Sequence, residues 1–366
     1  DRVIQIDSPT SVGSFLQRMG RSGRRNGTKR NCLFLATTDQ GLLTALGVCQ
    51  LWAQGWVEAV IPPAEPWNVV AQQALLCVLE YGQLPVGEVL NHLERSFPDL
   101  ESSQFGHLLS ELIEKAYLSS DSGVVQIGLA AEREFGGGHY RDLMATFSGS
   151  ELLTARFGGS ELGYLDPSVL VGQDELAVVL LSGRSWVVRE VDWKRSIAWL
   201  EPAKEGGKAR WTGGGSELGP ELAEAIHRAL EQGYVEHITL SKRAQPALEE
   251  LRESILLGSS TGSVEKITPT RFRLWTFAGT IGNRTRMLLG RTLGAYRYDG
   301  LSVDYQRDPR QKEQGCATPQ PYVSDDALAD FFSSIKFINL IPYRLAVRIV
   351  RNRRLALDSV DDFVSV

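Results

Sequence analysis

Gln17-Arg18-Met19-Gly20-Arg21-Ser22-Gly23-Arg24 is the stretch on which the reading of this sequence turns. Two glycines let the backbone turn tightly, and the arginines around them can aim their planar forks at phosphate oxygens. An isolated Arg-x-Gly-Arg is most often a solvated basic loop. The full string is more specific because of what flanks it. Residues 2–6 alternate like a buried strand that Ser8-Pro9-Thr10 breaks, a short helix is expected over 11–19, and a second strand over 31–36. Arg25, Lys29 and Arg30 extend the basic run. The local chemistry is anion binding on a loop between two strands.

Outward from the loop, a helix is expected from about Asp39 to Trp52, and Pro62-Pro63-Ala64-Glu65-Pro66 reads as a stiff linker and a domain boundary. Three helices follow: one over 68–81, one with Pro85 in its first turn, and one capped by Ser102 or Ser103. A hairpin is expected around Asp121-Ser122-Gly123, and three helices followed by a hairpin is the order of a winged helix. From 150 to 201 short strands alternate with turns such as Asp192-Trp193-Lys194-Arg195, the spacing of a small barrel or sandwich. Helices and strands mix again beyond the Gly-rich stretch 206–216. The expected fold is α+β and multidomain: the end of an α/β domain over 1–60, a winged helix over 61–130, a β-barrel-like module over 131–217, and an α/β and helical extension over 218–366.

Length and composition set bounds. With 366 residues, 43% hydrophobic and 23% charged, the chain can build two or three real cores. Its net charge of -5 attracts no polyanion globally, so nucleic-acid contacts must come from local patches. Cys32, Cys49, Cys77 and Cys316 form no C-x-x-C pair, which argues against zinc and for a reducing cytoplasm. No apolar run reaches the ~18 residues of a membrane span. The opening Asp1-Arg2-Val3-Ile4 reads as a strand already inside a domain, so the chain is expected to be a fragment.

Two further basic stretches stand out. Residues 271–298 hold Arg271, Arg273, Arg284, Arg286, Arg291 and Arg297 with no acidic residue, interleaved with Phe272, Trp275, Phe277, Tyr296 and Tyr298. Arginines for phosphates and aromatics for stacking compose a single-strand surface. The competing reading makes the aromatics core and the arginines a solvated face. Residues 336–357 are also acid-free and carry Arg344, Arg348 and Arg351 at helical spacing. The third helix of the winged module offers Glu111, Glu114 and Lys115, a poor set for reading bases, so duplex-shape or strand-separating contacts are expected of it. Trp193, in a turn beside Lys194 and Arg195, is the candidate base-stacking residue.

The Gln17–Arg24 string resembles motif VI of superfamily 2 helicases. Ser8 to Arg18, together with Arg25, resembles the large helicase-related (Lhr) family of superfamily 2 DEAD/DEAH-box ATP-dependent helicases. So do Leu51 to Glu58, Ala71-Gln72-Gln73, Glu132 to Gly136, Leu181 to Trp186 and Trp275 to Gly279, which spreads the resemblance over nearly the whole chain. The resemblance implies that residues 1–60 end the second of two RecA-like domains, with ATP and Mg²⁺ bound between them. Arg21 and Arg24 would be arginine fingers at the γ-phosphate and Gln17 would sit near the nucleotide. It also implies translocation on single-stranded DNA, or on an RNA/DNA hybrid, in the 3′ to 5′ direction and in DNA repair, with N-terminal RecA-like domains as partners in cis. One departure matters: no G-x-x-x-x-G-K-[ST] and no acidic Walker B box occurs in these residues, so the chain by itself is expected not to hydrolyse ATP. The rival readings are a stand-alone winged-helix regulator, and a glycosylase on a winged-helix scaffold for which no catalytic acid can be nominated.

Overall fold

A computed structural model of the chain describes residues 2–25, 27–145, 152–165, 178–181, 184–192, 195–203, 217–256, 263–310, 323–329, 331–332 and 335–356. Two units emerge, one formed by Asp1–Glu132 with Glu217–Val366 and the other by Arg133–Ser216. The first unit opens with β1 (Val3–Ile6), α1 (Val12–Met19), β2 (Cys32–Leu35) and α2 (Asp39–Ala53). The strands pair in parallel, which requires a crossover, and α1 lies within it. Val12, Phe15 and Met19 recur at helical spacing and are buried. Ile4, Ile6, Leu33 and Leu35 stand 59%, 65%, 39% and 47% exposed on this two-stranded sheet.

Next come α3 (Trp67–Tyr81), β3 (Gln83–Pro85), α4 (Val86–Ser96), α5 (Ser102–Glu114), β4 (Leu118–Asp121) and β5 (Val124–Ile127). The hairpin expected at Asp121-Ser122-Gly123 forms, and β3, which sequence periodicity did not mark, pairs with β5 to give the order β3-β5-β4. A helix, a short strand, two helices and a hairpin therefore close around Trp67, whose ring meets Phe105 edge-on at 5.3 Å. Neither Ser102 nor Ser103 caps α5: Glu101 precedes it, and the Ser103 hydroxyl donates to that carboxylate instead.

After the short helix α6 (Leu129–Phe135), the second unit contains β6 (Leu153–Phe157), β7 (Ser160–Leu165), β8 (Val178–Leu181), β9 (Arg184–Asp192) and β10 (Ile197–Pro202). They form one sheet in the order β7-β6-β10-β9-β8, antiparallel except for β6 beside β10. Alternate residues Leu153, Ala155, Trp186, Val188, Ala198 and Leu200 fill a core of its own. The sheet curls enough to bring its edge strands together, since a Cβ on Gly163 of β7 would lie 3.3 Å from Leu181 of β8. Trp193 and Trp211 lie outside the described residues.

The first unit resumes with α7 (Pro220–Gln232), α8 (Ala244–Leu256), β11 (Ser263–Thr268), β12 (Arg271–Trp275), α9 (Gly279–Leu289), β13 (Ala295–Tyr298), β14 (Ser302–Tyr305), α10 (Asp325–Ala329) and α11 (Tyr343–Arg354). The four strands form an antiparallel sheet, β11-β12-β14-β13, and Leu274, Ala295, Val303 and Tyr305 join Met287 of α9 in its core. A larger cluster joins the two ends of the unit, with Phe15, Leu46 and Leu51 packing with Leu222, Ile226, Leu230 and Phe277. Burial there pushes the Cys49 thiol up to about 12, with Cys32 adding to the rise, so it stays protonated and inert at neutral pH. No described helix is long and apolar enough to cross a membrane.

Close approach of α2 and α7 depends on Gly47, where a Cβ would meet Ile226 Cγ1 at 2.5 Å and Leu222 Cδ1 at 2.9 Å. Gly47→Ile should therefore push the helices apart and lower unfolding free energy by about 2–3 kcal/mol despite isoleucine's better helix propensity. Urea unfolding followed by far-ultraviolet circular dichroism measures it, and an unchanged midpoint would show that the interface absorbs the side chain.

Candidate nucleotide and nucleic-acid interface

The basic loop is anchored from inside. Ser22 is buried, and its hydroxyl lies 2.9 Å from the Met19 carbonyl and 3.1 Å from the Asn31 carbonyl while accepting the Asn31 N–H at 3.1 Å. Gly23 follows with φ +67, and a Cβ there would sit 2.7 Å from Arg30 N, so only glycine lets the loop fold back on its own return strand. Gln17, Arg21 and Arg24 are exposed. Arg24 Nε donates to the Gly20 carbonyl at 3.1 Å, which steadies the stem of the side chain and leaves its terminal nitrogens uncommitted among the described residues. No ion pair engages Arg21 or Arg24 among the described residues. Arg18 instead turns inward to Gln5 Oε1 at 3.2 Å, tying α1 to β1. Two solvated, uncompensated guanidinium groups on a rigid turn suit a polyphosphate terminus. No group of three or more His, Cys, Asp or Glu among the described residues could hold a metal.

The arginines of 271–298 do not assemble into one surface. The stretch is acid-free in sequence, but the fold brings carboxylates to it. Arg273 makes a bidentate pair with buried Asp304, at 2.8 and 3.1 Å, with its guanidinium 5.5 Å from the Trp275 ring. Arg284 is 6% exposed, and its guanidinium donates to Tyr298 OH at 2.9 Å, Glu217 Oε1 at 2.7 Å and the Arg354 carbonyl at 3.3 Å. Arg286 is packed against Tyr305, and burial pushes its pKa down while the Tyr305 hydrogen bond acts in the opposite direction. Arg271 is exposed, as are Arg291, Arg297 and Tyr296. Of Arg271, Arg273, Arg284 and Arg286, expected together on a single-strand surface, Arg273 and Arg284 are held by partners within the fold and Arg286 packs against Tyr305, because desolvated guanidinium groups require partners.

The third basic stretch behaves in the same way. Arg348 pairs with Glu65, Arg351 with Asp325 at 3.0 Å, and Arg354 with Glu217 at 2.7 Å, while Arg353 donates to Asn68 at 3.2 Å. Lys115, just past the end of α5, pairs with Glu111 and also donates to the Asn339 and Ile341 carbonyls. Residues 67–130 then hold eight acidic residues against Arg95 and Lys115, which leaves α5 with Ser102, Ser103, His107, Ser110 and Glu114 as its exposed side chains. That helix exposes no arginine or lysine. Sequence reasoning missed Ser22, Glu65 and Glu217, since a serine inside a basic loop and scattered glutamates carry no signal before their partners are placed.

No family model matches the chain. It is 26% identical over 249 residues to the "Lhr helicase/uracil glycosylase" of Escherichia coli (strain K12), which covers 62% of this chain and 16% of that protein. It is 24% identical over 365 residues to the "Lhr helicase/ probable uracil glycosylase" of Mycolicibacterium smegmatis, covering 90% of this chain and 23% of that one. The chain thus spans less than a quarter of the length of these curated relatives. Its fold matches the Mycobacterium smegmatis helicase Lhr solved with ssDNA and AMP-PNP, with a TM-score of 0.58 and 16% identity, over 100% of this chain and 54% of that one. The resemblance to the Lhr helicases holds in sequence and in fold.

Removing Arg284 takes away the guanidinium that bonds Tyr298 OH, Glu217 and the Arg354 carbonyl, and leaves Glu217 with Arg354 as its partner. Arg284→Ala should cost about 2–3 kcal/mol of stability, from its lost hydrogen bonds and the void left by a packed side chain, whereas Arg271→Ala should cost under about 0.5 kcal/mol. Denaturant titration of both variants measures this, and equal midpoints would refute the division between structural and solvated arginines.

Proposed function

We propose that this relative of the Lhr helicases is the nucleic-acid-engaging part of an ATP-dependent helicase that translocates 3′ to 5′ on single-stranded DNA and serves DNA repair. One observation carries the reading: two exposed guanidinium groups, uncompensated among the described residues, on a loop pinned by Ser22 and Gly23 at the end of α1. Arg21 and Arg24 are the proposed arginine fingers, and Gln17, on the exposed face of α1, the proposed neighbour of the nucleotide. ATP with Mg²⁺ would supply the phosphoryl-transfer chemistry, and its phosphate cradle and metal ligands belong to RecA-like parts outside these residues. The apolar face of Ile4, Ile6, Leu33 and Leu35 supports that assignment, since a parallel sheet is ordinarily covered on both faces. In this scheme Arg24, steadied through Nε, presents its fork to the γ-phosphate and stabilises the charge that develops on transfer.

The helix, strand, two helices and hairpin of residues 67–127 are read as a winged helix, and the curled sheet of 153–202 as a β-barrel-like module. The acidic surface of the former favours a wedge at a duplex end over a phosphate clamp. Arg271 remains a proposed strand contact, joined by Arg297 and Tyr296 on the same sheet, and Trp193 the proposed stacking residue. The glycosylase in the relatives' names is a property of those longer proteins.

The purified chain should show no DNA-stimulated ATP hydrolysis, whereas in the full-length protein Arg24→Ala should lower kcat by about 10³ with little change in single-strand affinity. A coupled ATPase assay checks both, and robust turnover by the chain alone would overturn the reading. Binding of an oligodeoxythymidine by the chain should weaken as salt rises, and Arg271→Ala with Arg297→Ala should each reduce the log–log salt slope by about 0.7. Fluorescence anisotropy across a salt series measures it, and an unchanged slope would exclude this sheet as the binding surface.

A further inference from the structure

The finger helix α1 starts on a carboxylate from far along the chain. Glu58 accepts the Val12 N–H at 2.6 Å and the Gly13 N–H at 2.8 Å, and the Ser11 hydroxyl accepts the Ser14 N–H at 3.2 Å. Three of the orphan donors that open any helix are thereby met, and a negative charge sits at the positive end of the dipole. Glu58 is itself held in place. The Gly55 N–H donates to the Trp52 carbonyl and the Trp56 N–H to the Leu51 carbonyl, closing α2, and Trp56 packs on the same core as Phe15. From there the chain runs exposed through Val60 and Ile61, 98% and 81% accessible, to Glu65. Glu65 accepts from Arg348 and Asn352 of α11, the helix whose Arg353 also donates to Asn68 of α3. The linker is tied by a glutamate at each end, one on the finger helix and one beside the α3–α5 module.

We propose that Glu58 is a positioning residue for the arginine fingers, setting where α1 begins and coupling that position to the linker that enters the α3–α5 module. The inference rests on reading Arg21 and Arg24 as fingers. An eight-residue helix is too short to persist without its ends held, so losing the cap frays α1 from Val12 and passes the displacement to Gly20 and the loop beyond. Both oxygens are needed: a glutamine amide in place of the carboxylate offers one acceptor and turns an NH₂ group toward a backbone donor. Movement of the module therefore reaches the fingers through one carboxylate, without any contact between module and nucleotide.

The test uses the full-length protein with ATP and saturating oligodeoxythymidine. Glu58→Gln should lower kcat about ten-fold while the KM for ATP and the half-saturating oligonucleotide concentration stay within about two-fold, the signature of geometry lost only at the transition state. In the double variant Glu58→Gln with Arg24→Ala, the glutamate substitution should cost less than about two-fold more, because the residue it acts through is already gone. Glu58→Asp, which keeps the charge with a shorter reach, should recover part of the lost kcat and carries the test should Glu58→Gln fail to fold. Wild-type kcat in Glu58→Gln, or losses that multiply in the double variant, would overturn the proposal. Wild-type kcat in Arg24→Ala would instead remove the fingers themselves, and with them any role for Glu58 through them.

Discussion

The contact of α2 with α7 at Gly47 is the constraint on which the larger unit depends. Helix axes come this close only where one surface lacks a side chain, and Leu222 and Ile226 occupy the space that a Cβ at Gly47 would claim. The pairing joins residues that lie far apart in the sequence. It places the segment that carries the basic loop in one core with Leu218, Phe277 and Leu301, so that segment is no detachable appendage. With few internal contacts of its own, a two-stranded sheet and one short helix could not hold a loop rigid.

Carboxylates are the second organising principle. Each basic stretch that looks unopposed along the chain meets acids in space: Arg273 meets Asp304, Arg284 and Arg354 share Glu217, and Arg348 meets Glu65. Half-buried guanidinium groups would cost several kcal/mol unpaired, so the fold supplies acids from the nearest strand or linker. The basic loop after α1 escapes this pairing among the described residues. Arg21, Arg24, Arg25, Lys29 and Arg30 are all exposed, and the loop is rigid through Ser22 and Gly23 rather than through ion pairs. Among the described residues, this is the basic segment that keeps its cations most completely away from competing carboxylates.

Acidity is also concentrated in one part of the larger unit. The three helices of 67–114 bury a well-packed core around Trp67 and Phe105, yet present mostly glutamate, serine and histidine outward. Such a surface is repelled by a phosphate backbone at every ionic strength where charge is felt. Its mechanical value lies in its attachment: Lys115 and Asn68 grip carbonyls of the segment 336–341, and Glu65 grips α11.

The sequence by itself determined the local features. Periodic apolar residues placed most helices, the Asp-Ser-Gly turn placed the hairpin β4–β5, and the glycine and arginine spacing of 17–24 marked the exposed basic loop, because each depends on neighbours within a few residues. Tertiary structure alone decided the rest. Strand β3 has three residues and becomes a strand only when β5 lies beside it. Which arginines are solvated could not be read from 271–298, since their partners Glu217 and Asp304 arrive from other elements. The union of the first 56 residues with α7 and Phe277 left no periodic trace. A helix sequence records that a face is buried, but not against what, and the identity of the partner surface is set by packing across long separations.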